Sequence, residues 1–213
     1  MGRNVSTKHR FSFVMRKESS DELNQTALQE SAVPRGMRSA RDYFALALAT
    51  CGVGYLPFAP GTWGSLLGVG VYALVRAQTA NHFNLFGDKG LEAHAIEGLR
   101  VSCLLSALIL LSVVGAWAAS HVERFTKRKD PGIVVIDEVV GQLITCLFVP
   151  FSAGVWPLIV GFLAFRLFDI WKPYPIRRLE SLESGLGVMA DDVLAGAYAA
   201  TLLSLLVTIH YLL

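Results

Sequence analysis

Residues 43–75, 101–119, 139–165 and 193–213 contain no Asp, Glu, Lys or Arg. A helix needs about 20 predominantly apolar residues to cross a bilayer, so three or four of these runs are long enough to span one. Only 17% of the 213 residues are charged, against about 25% in an ordinary soluble domain. The chain therefore reads as a polytopic membrane helical bundle.

Residues 1–41 have a different character. They are polar and Ser-rich, with eight Lys/Arg against four Asp/Glu. They lack the apolar core of a signal peptide, so the expected organisation is a basic, disordered cytoplasmic tail at 1–41 and a membrane-embedded domain at 42–213. Basic residues near span ends mark the cytoplasmic side. They recur as Arg124, Lys127, Arg128 and Lys129, then as Lys172, Arg177 and Arg178, while residues 78–99 hold Lys89 against Asp88, Glu92 and Glu97. One topology accommodates this pattern. The tail lies inside, a helix near 65–75 leads out, a helix at 100–119 returns, a two-helix hairpin follows, and a last helix starts at Asp191.

The hairpin is predicted because Pro150, Gly154 and Pro157 interrupt the run at 139–165, and such residues break helices. Residues 52–64, GVGYLPFAPGTWG, are expected to be irregular for the same reason. Irregular backbone at membrane depth survives only where protein or a wet cavity satisfies its polar groups.

On this topology Asp137, Glu138, Asp169, Asp191 and Asp192 all fall at helix ends on the cytoplasmic side. An aspartate before a helix is more often a cap than a ligand, and Asp130 before Pro131 reads as a cap and first-turn proline. Five converging carboxylates, however, repel one another unless cations balance them. Oxygen ligands with no His or Cys pair suit Mg²⁺ or Mn²⁺ better than zinc. Arg166, Asp169 and Lys172 are spaced three apart on one helical stripe, either a salt-bridged anchor or a site answering phosphate oxygens. The APGTWGS segment adds Gly61, Thr62, Gly64 and Ser65 ahead of a helix N-terminus, an arrangement that commonly holds phosphate.

The other reactive side chains point elsewhere. The five histidines lie outside these motifs, which disfavours a histidine nucleophile, and there is no DG…AR…G…D…D array of a phosphatidyl-alcohol transferase. Cys51 has no phosphate loop behind it and reads as packing, while Cys103 and Cys146 read as small buried hydrophobes.

Three blocks, GVGYLPFAPGTWGSLLG (52–68), DPGIVVIDEVVGQ (130–142) and FRLFDIWKPYPIRRLE…GLGVMADDVLAG (165–196), resemble in order the signatures of the phosphatidylglycerophosphatase A family. The resemblance covers residues from about 43 to the C-terminus. One departure is Ser184, which stands where the family usually has a glycine, so a tighter or shifted loop is expected there. The resemblance implies an all-α fold and a Mg²⁺-dependent, membrane-embedded phosphatase; together with the charge pattern, the expectation is a multi-pass protein of the bacterial inner membrane with its active site facing the cytoplasm. The implied reaction converts phosphatidylglycerophosphate to phosphatidylglycerol in phospholipid biosynthesis. Its partners would be that lipid and the bilayer, not nucleic acid.

Asp137, Glu138, Asp169, Asp191 and Asp192 would then divide metal ligation and water activation between them, with one or two Mg²⁺ ions lowering the water's pKa. Lys172, Arg166 and the segment from Gly61 to Ser65 would bind the phosphate. An aspartyl-phosphate intermediate stays open, as does a transporter or channel with a cytoplasmic acidic cation site. Charges buried within the spans would favour transport.

Overall fold

The computed structural model describes residues 39–87, 93–150, 153–179, 181–182 and 184–213. The expected tail lies outside these as far as residue 38. Within the compact unit Arg38–Leu213, the described residues form helices and no strand. The helices are α1 (Ala40–Thr50), α2 (Pro60–Gly87), α3 (Ala93–Thr126), α4 (Ile136–Cys146), α5 (Trp156–Trp171), α6 (Ile176–Leu179) and α7 (Gly185–Leu212).

Among the described residues, two helices are long and apolar enough to cross a membrane: residues 94–126 of α3, and α7. At about 1.5 Å per residue, α3 and α7 are ~50 Å and ~42 Å long. The expected hairpin is present as α4 and α5, of 11 and 16 residues, both short of the ~30 Å hydrocarbon core. α5 turns Ile159, Leu163, Leu167 and Ile170 outward, each more than half exposed, while Ala164 and Phe165 are buried. A helix with its large aliphatic residues outside and a small residue inside is suited to lipid rather than water.

α1 opens with a capping box, Ser39 and Asp42 satisfying each other's backbone amides. Asp42 also meets His121 of α3 at 2.9 Å, which ties the first helix to the bundle. Residues 51–59 then turn, with positive φ at Cys51, Gly52, Phe58 and Ala59. The irregular segment is shorter than expected, because α2 begins at Pro60, whose fixed φ and missing N–H suit a first helical position. Gly61, Thr62, Gly64 and Ser65 therefore lie in the first turns of α2, not in a loop ahead of it.

Close helix approach explains the small residues of α2. A Cβ on Gly61 would collide with Glu138 Oε1, one on Gly64 would lie 3.0 Å from the Val135 carbonyl, and one on Gly68 would lie 2.8 Å from Gln142 Cβ. This glycine stripe lets α2 press directly onto the polar face of α4. On the opposite side, Gly141 of α4 meets Gly196 of α7 backbone to backbone.

Two further expectations change. The last helix starts at Gly185, where the backbone N–H donates to Ser120 Oγ at 3.0 Å and a side chain would strike the Ala116 carbonyl. Asp191 and Asp192 are thus helix-interior residues rather than caps. Asp130 caps no helix either, since α4 starts at Ile136; its φ is +48° and its N–H donates to Glu123 Oε1 at 2.9 Å. Cys146 is buried as expected, but Cys103 is exposed on α3.

Ionisable groups do not stop at one end of the bundle. Arg100 is 5% exposed and donates to Tyr72 Oη at 3.1 Å and to the Val149 carbonyl at 3.2 Å, with Glu97 paired beside it. Some 20 residues of α3, about 30 Å, separate Arg100 from the Ser120–Gly185 contact. Because carbonyls, a phenol and a carboxylate satisfy its guanidinium, this cluster acts as a structural clamp on α2, α3 and the end of α4.

Candidate active site

The first turn of α4 carries Asp137 and Glu138, and the second turn of α7 carries Asp192. The Gly141–Gly196 crossing brings these turns together. One carboxylate oxygen from each of Asp137, Glu138 and Asp192 lies within 4.8 Å of the other two. Asp137 and Asp192 are buried, at 7% and 4% exposed. The start of α4 offers partial positive charge to acids in its first turn, but one helix end cannot balance three carboxylates.

Asp137 Oδ1 and Glu138 Oε2 are buried with no hydrogen-bond partner. Native interiors rarely leave such atoms unsatisfied, and a divalent cation would satisfy both and offset the repulsion. The donor set is all oxygen, which fits a hard cation of the Mg²⁺ or Mn²⁺ type. The residues present therefore fit a metal centre; they do not identify the metal.

The other two expected acids stand at the edge of this triad. Asp169, near the end of α5, lies within electrostatic reach of Asp192 and is paired with Arg166 Nη1 at 2.6 Å. Asp191 turns to a different neighbour, accepting from Lys172 Nζ at 2.7 Å. Lys172 closes α5 in a left-handed conformation, with φ 47° and ψ 61°, directly before Pro173. This sharp stop directs its side chain across to α7.

Of the expected phosphate-binding residues, Gly61 comes nearest the acids: a Cβ there would touch Glu138 and sit 3.1 Å from Arg166 Nη1. Thr62 uses its backbone N–H on the Ala59 carbonyl at 2.9 Å. Gly64 packs on Val135, and Ser65 is fully buried with its hydroxyl donating to the Gly61 carbonyl at 2.9 Å. Cys51 stays a thiol: burial first, and the Glu138 charge second, push its pKa up to about 11. Its Sγ donates to the Leu48 carbonyl at 3.2 Å, in keeping with a packing role.

Two polar residues near the centre were not foreseen as site residues. Asp130 lies within electrostatic reach of Asp137 and Asp191; its Asp-Pro context reads as a cap, and only the fold moves it. Gln142 is fully buried one turn beyond Glu138. An amide within the charge-free run at 139–165 was its signal.

Described residues that form helices and no strand, two of those helices of membrane length, and a largely buried carboxylate triad fit the class of membrane proteins built around an acidic, cation-competent centre. Residues 46–207 match the family model for phosphatidylglycerophosphatase A, and the chain belongs to that family. A Haemophilus influenzae phosphatidylglycerophosphatase A is 35% identical over 151 residues, covering 70% of this chain and 78% of the relative. The Escherichia coli protein of that name is 29% identical over 154 residues, covering 71% and 76%. A Bacteroides thetaiotaomicron protein with the provisional name phosphatidylinositol-3-phosphatase is 38% identical over 154 residues, covering 72% and 86%. No solved structure matches the chain.

Proposed function

We propose that this chain is a membrane lipid phosphatase that hydrolyses phosphatidylglycerophosphate to phosphatidylglycerol and inorganic phosphate. The observation that carries the mechanism is the meeting of Asp137, Glu138 and Asp192 within 4.8 Å, with Arg166 and Lys172 held at the rim by their own aspartates. Water attacks phosphorus, the P–O bond to the glycerol breaks, and the leaving alkoxide takes up a proton.

Asp137, Glu138 and Asp192 would hold Mg²⁺, whose chemistry when bound is to acidify water and neutralise phosphoryl charge. Arg166 and Lys172 would exchange part of their pairing with Asp169 and Asp191 for phosphate oxygens. Gly61, Thr62 and Gly64 would let the phosphate approach the start of α2, with Ser65 fixing the Gly61 carbonyl. Asp169 or Asp191, freed from its cation as phosphate binds, would take the proton from water.

The apolar groove between α3 and α7, about 520 Å³ and lined in part by Val113, Ala116, Met189, Ala190 and Val193, would take an acyl chain. Met189, Ala190 and Val193 flank the acids in sequence. The membrane frame is the one read from charge: residues 42–213 form a multi-pass phosphatase domain in the inner membrane, and residues 1–41 a cytoplasmic tail. Arg124, Lys127, Arg128 and Lys129, just past the α3–α7 contact at Ser120, support a cytoplasmic active site.

The Bacteroides relative's name supports a second reading, a phosphoinositide as the monoester. Phosphate release from phosphatidylglycerophosphate, phosphatidylinositol 3-phosphate, phosphatidic acid and glycerol phosphate, each with and without chelator, tests both. Preference for the first substrate, lost on chelation and in Asp169→Asn and Asp191→Asn proteins, is the expected result. Full turnover in chelator would remove the cation from the mechanism.

A further inference from the structure

Among the described residues, three buried side-chain polar atoms lack a hydrogen-bond partner: Asp137 Oδ1, Glu138 Oε2 and Gln142 Oε1. All three belong to a six-residue stretch of α4. The first two are explained by a cation. The third belongs to a neutral residue that is 0% exposed, and a packing role does not explain it. An apolar side chain would fill the same space without stranding an acceptor away from water.

The geometry directs this oxygen. Gln142 stands four residues after Glu138, so the two side chains share one face of α4. Helical side chains lean toward the N-terminus, over the preceding turn, which here carries Asp137 and Glu138. The amide nitrogen donates toward Cys146 Sγ at 3.6 Å, one turn further along the helix, and the oxygen on the other arm of the same amide has no partner. α2 is shaped around this residue: a Cβ at Gly68 would lie 2.8 Å from Gln142 Cβ and 3.1 Å from its Cγ. The glycine stripe of α2 thus makes room for Glu138 at Gly61 and for Gln142 at Gly68.

We infer that Gln142 is the neutral oxygen donor of the cation centre, its carboxamide oxygen completing the donor set begun by Asp137, Glu138 and Asp192. The inference rests on the cation reading above and adds a residue to it. A neutral donor extends coordination without adding to the repulsion among the carboxylates.

Mn²⁺ binding to the full chain in detergent or nanodiscs, followed by the electron paramagnetic resonance signal of free Mn²⁺, tests this without relying on turnover. Gln142→Met removes the oxygen at similar volume. Gln142→Asn keeps the amide but draws it back by one methylene, beyond the narrow tolerance of a small hard cation. Both are expected to bind Mn²⁺ roughly 10- to 100-fold more weakly than the unaltered chain. Should the Met protein fail to fold, the Asn protein decides. Unaltered affinity in a folded variant overturns the role of Gln142 and leaves the cation centre standing. Absence of saturable Mn²⁺ binding in the unaltered chain overturns the centre, and the role of Gln142 with it.

Discussion

Lys172 Nζ lies 2.7 Å from Asp191 Oδ2, joining the end of α5 to the second turn of α7. This contact separates two adjacent aspartates: Asp192 joins the triad and Asp191 serves a cation supplied by the protein. Removing one partner of a buried pair strands the other charge and typically costs 3–5 kcal/mol. Lys172 keeps some solvent contact, so Lys172→Met should destabilise the protein by about 3 kcal/mol. Adding Asp191→Asn should restore much of the melting temperature and little of the phosphatase activity. If both return together, the pair is purely structural.

Asp192→Asn should separate stability from function. In chelator it relieves repulsion within the triad, so its melting temperature should equal or exceed that of the unaltered protein. With Mg²⁺ present, phosphate release should fall on the order of 10²- to 10³-fold, the scale of losing one preorganised electrostatic group. The thermal stabilisation given by Mg²⁺ should shrink as well. A variant less stable in chelator would show that the carboxylates are mutually compensated without a cation.

Gly61 and Gly70 lie on the same helix in opposite situations. A methyl group at Gly61 meets Glu138 and Arg166, whereas one at Gly70 has nothing within 4 Å. Gly61→Ala should therefore lower activity at least tenfold by pushing Glu138 off its position. Gly70→Ala should leave activity unchanged and stabilise α2 by up to about 1 kcal/mol. Comparing turnover and melting temperature of the two proteins checks the packing of α2 on α4.

Ser184 occupies φ 61° and ψ −165° ahead of α7, a region that is essentially glycine-only. A side chain is least welcome in that conformation. Ser184→Gly should raise stability by about 1 kcal/mol with activity retained, as read by thermal unfolding and phosphate release. A fall in melting temperature would mean that the serine side chain supports the turn.

Much of this site was legible in the chain. Acids flanking apolar runs must sit where those runs meet water, because charge is costly in hydrocarbon; that alone put Asp137, Glu138, Asp169, Asp191 and Asp192 near helix ends. The break between α4 and α5 was equally legible, since Pro150 and Pro157 cannot continue a helix hydrogen-bond ladder. The start of α7 was not. Asp191 resembles a cap in local sequence, yet Gly185 begins the helix two turns earlier because it fits against the backbone of α3. Nor was Gln142, whose place depends on Gly68 crossing above it.

The sequence by itself determined which residues are driven to one edge of the apolar core, because transfer cost is a property of each residue and its neighbours along the chain. Only the tertiary structure decided how they sort: Asp137, Glu138 and Asp192 together, Asp169 to Arg166, Asp191 to Lys172. That sorting depends on helix crossings at Gly61, Gly141 and Gly196, and a crossing is a relation between distant segments that no local pattern encodes.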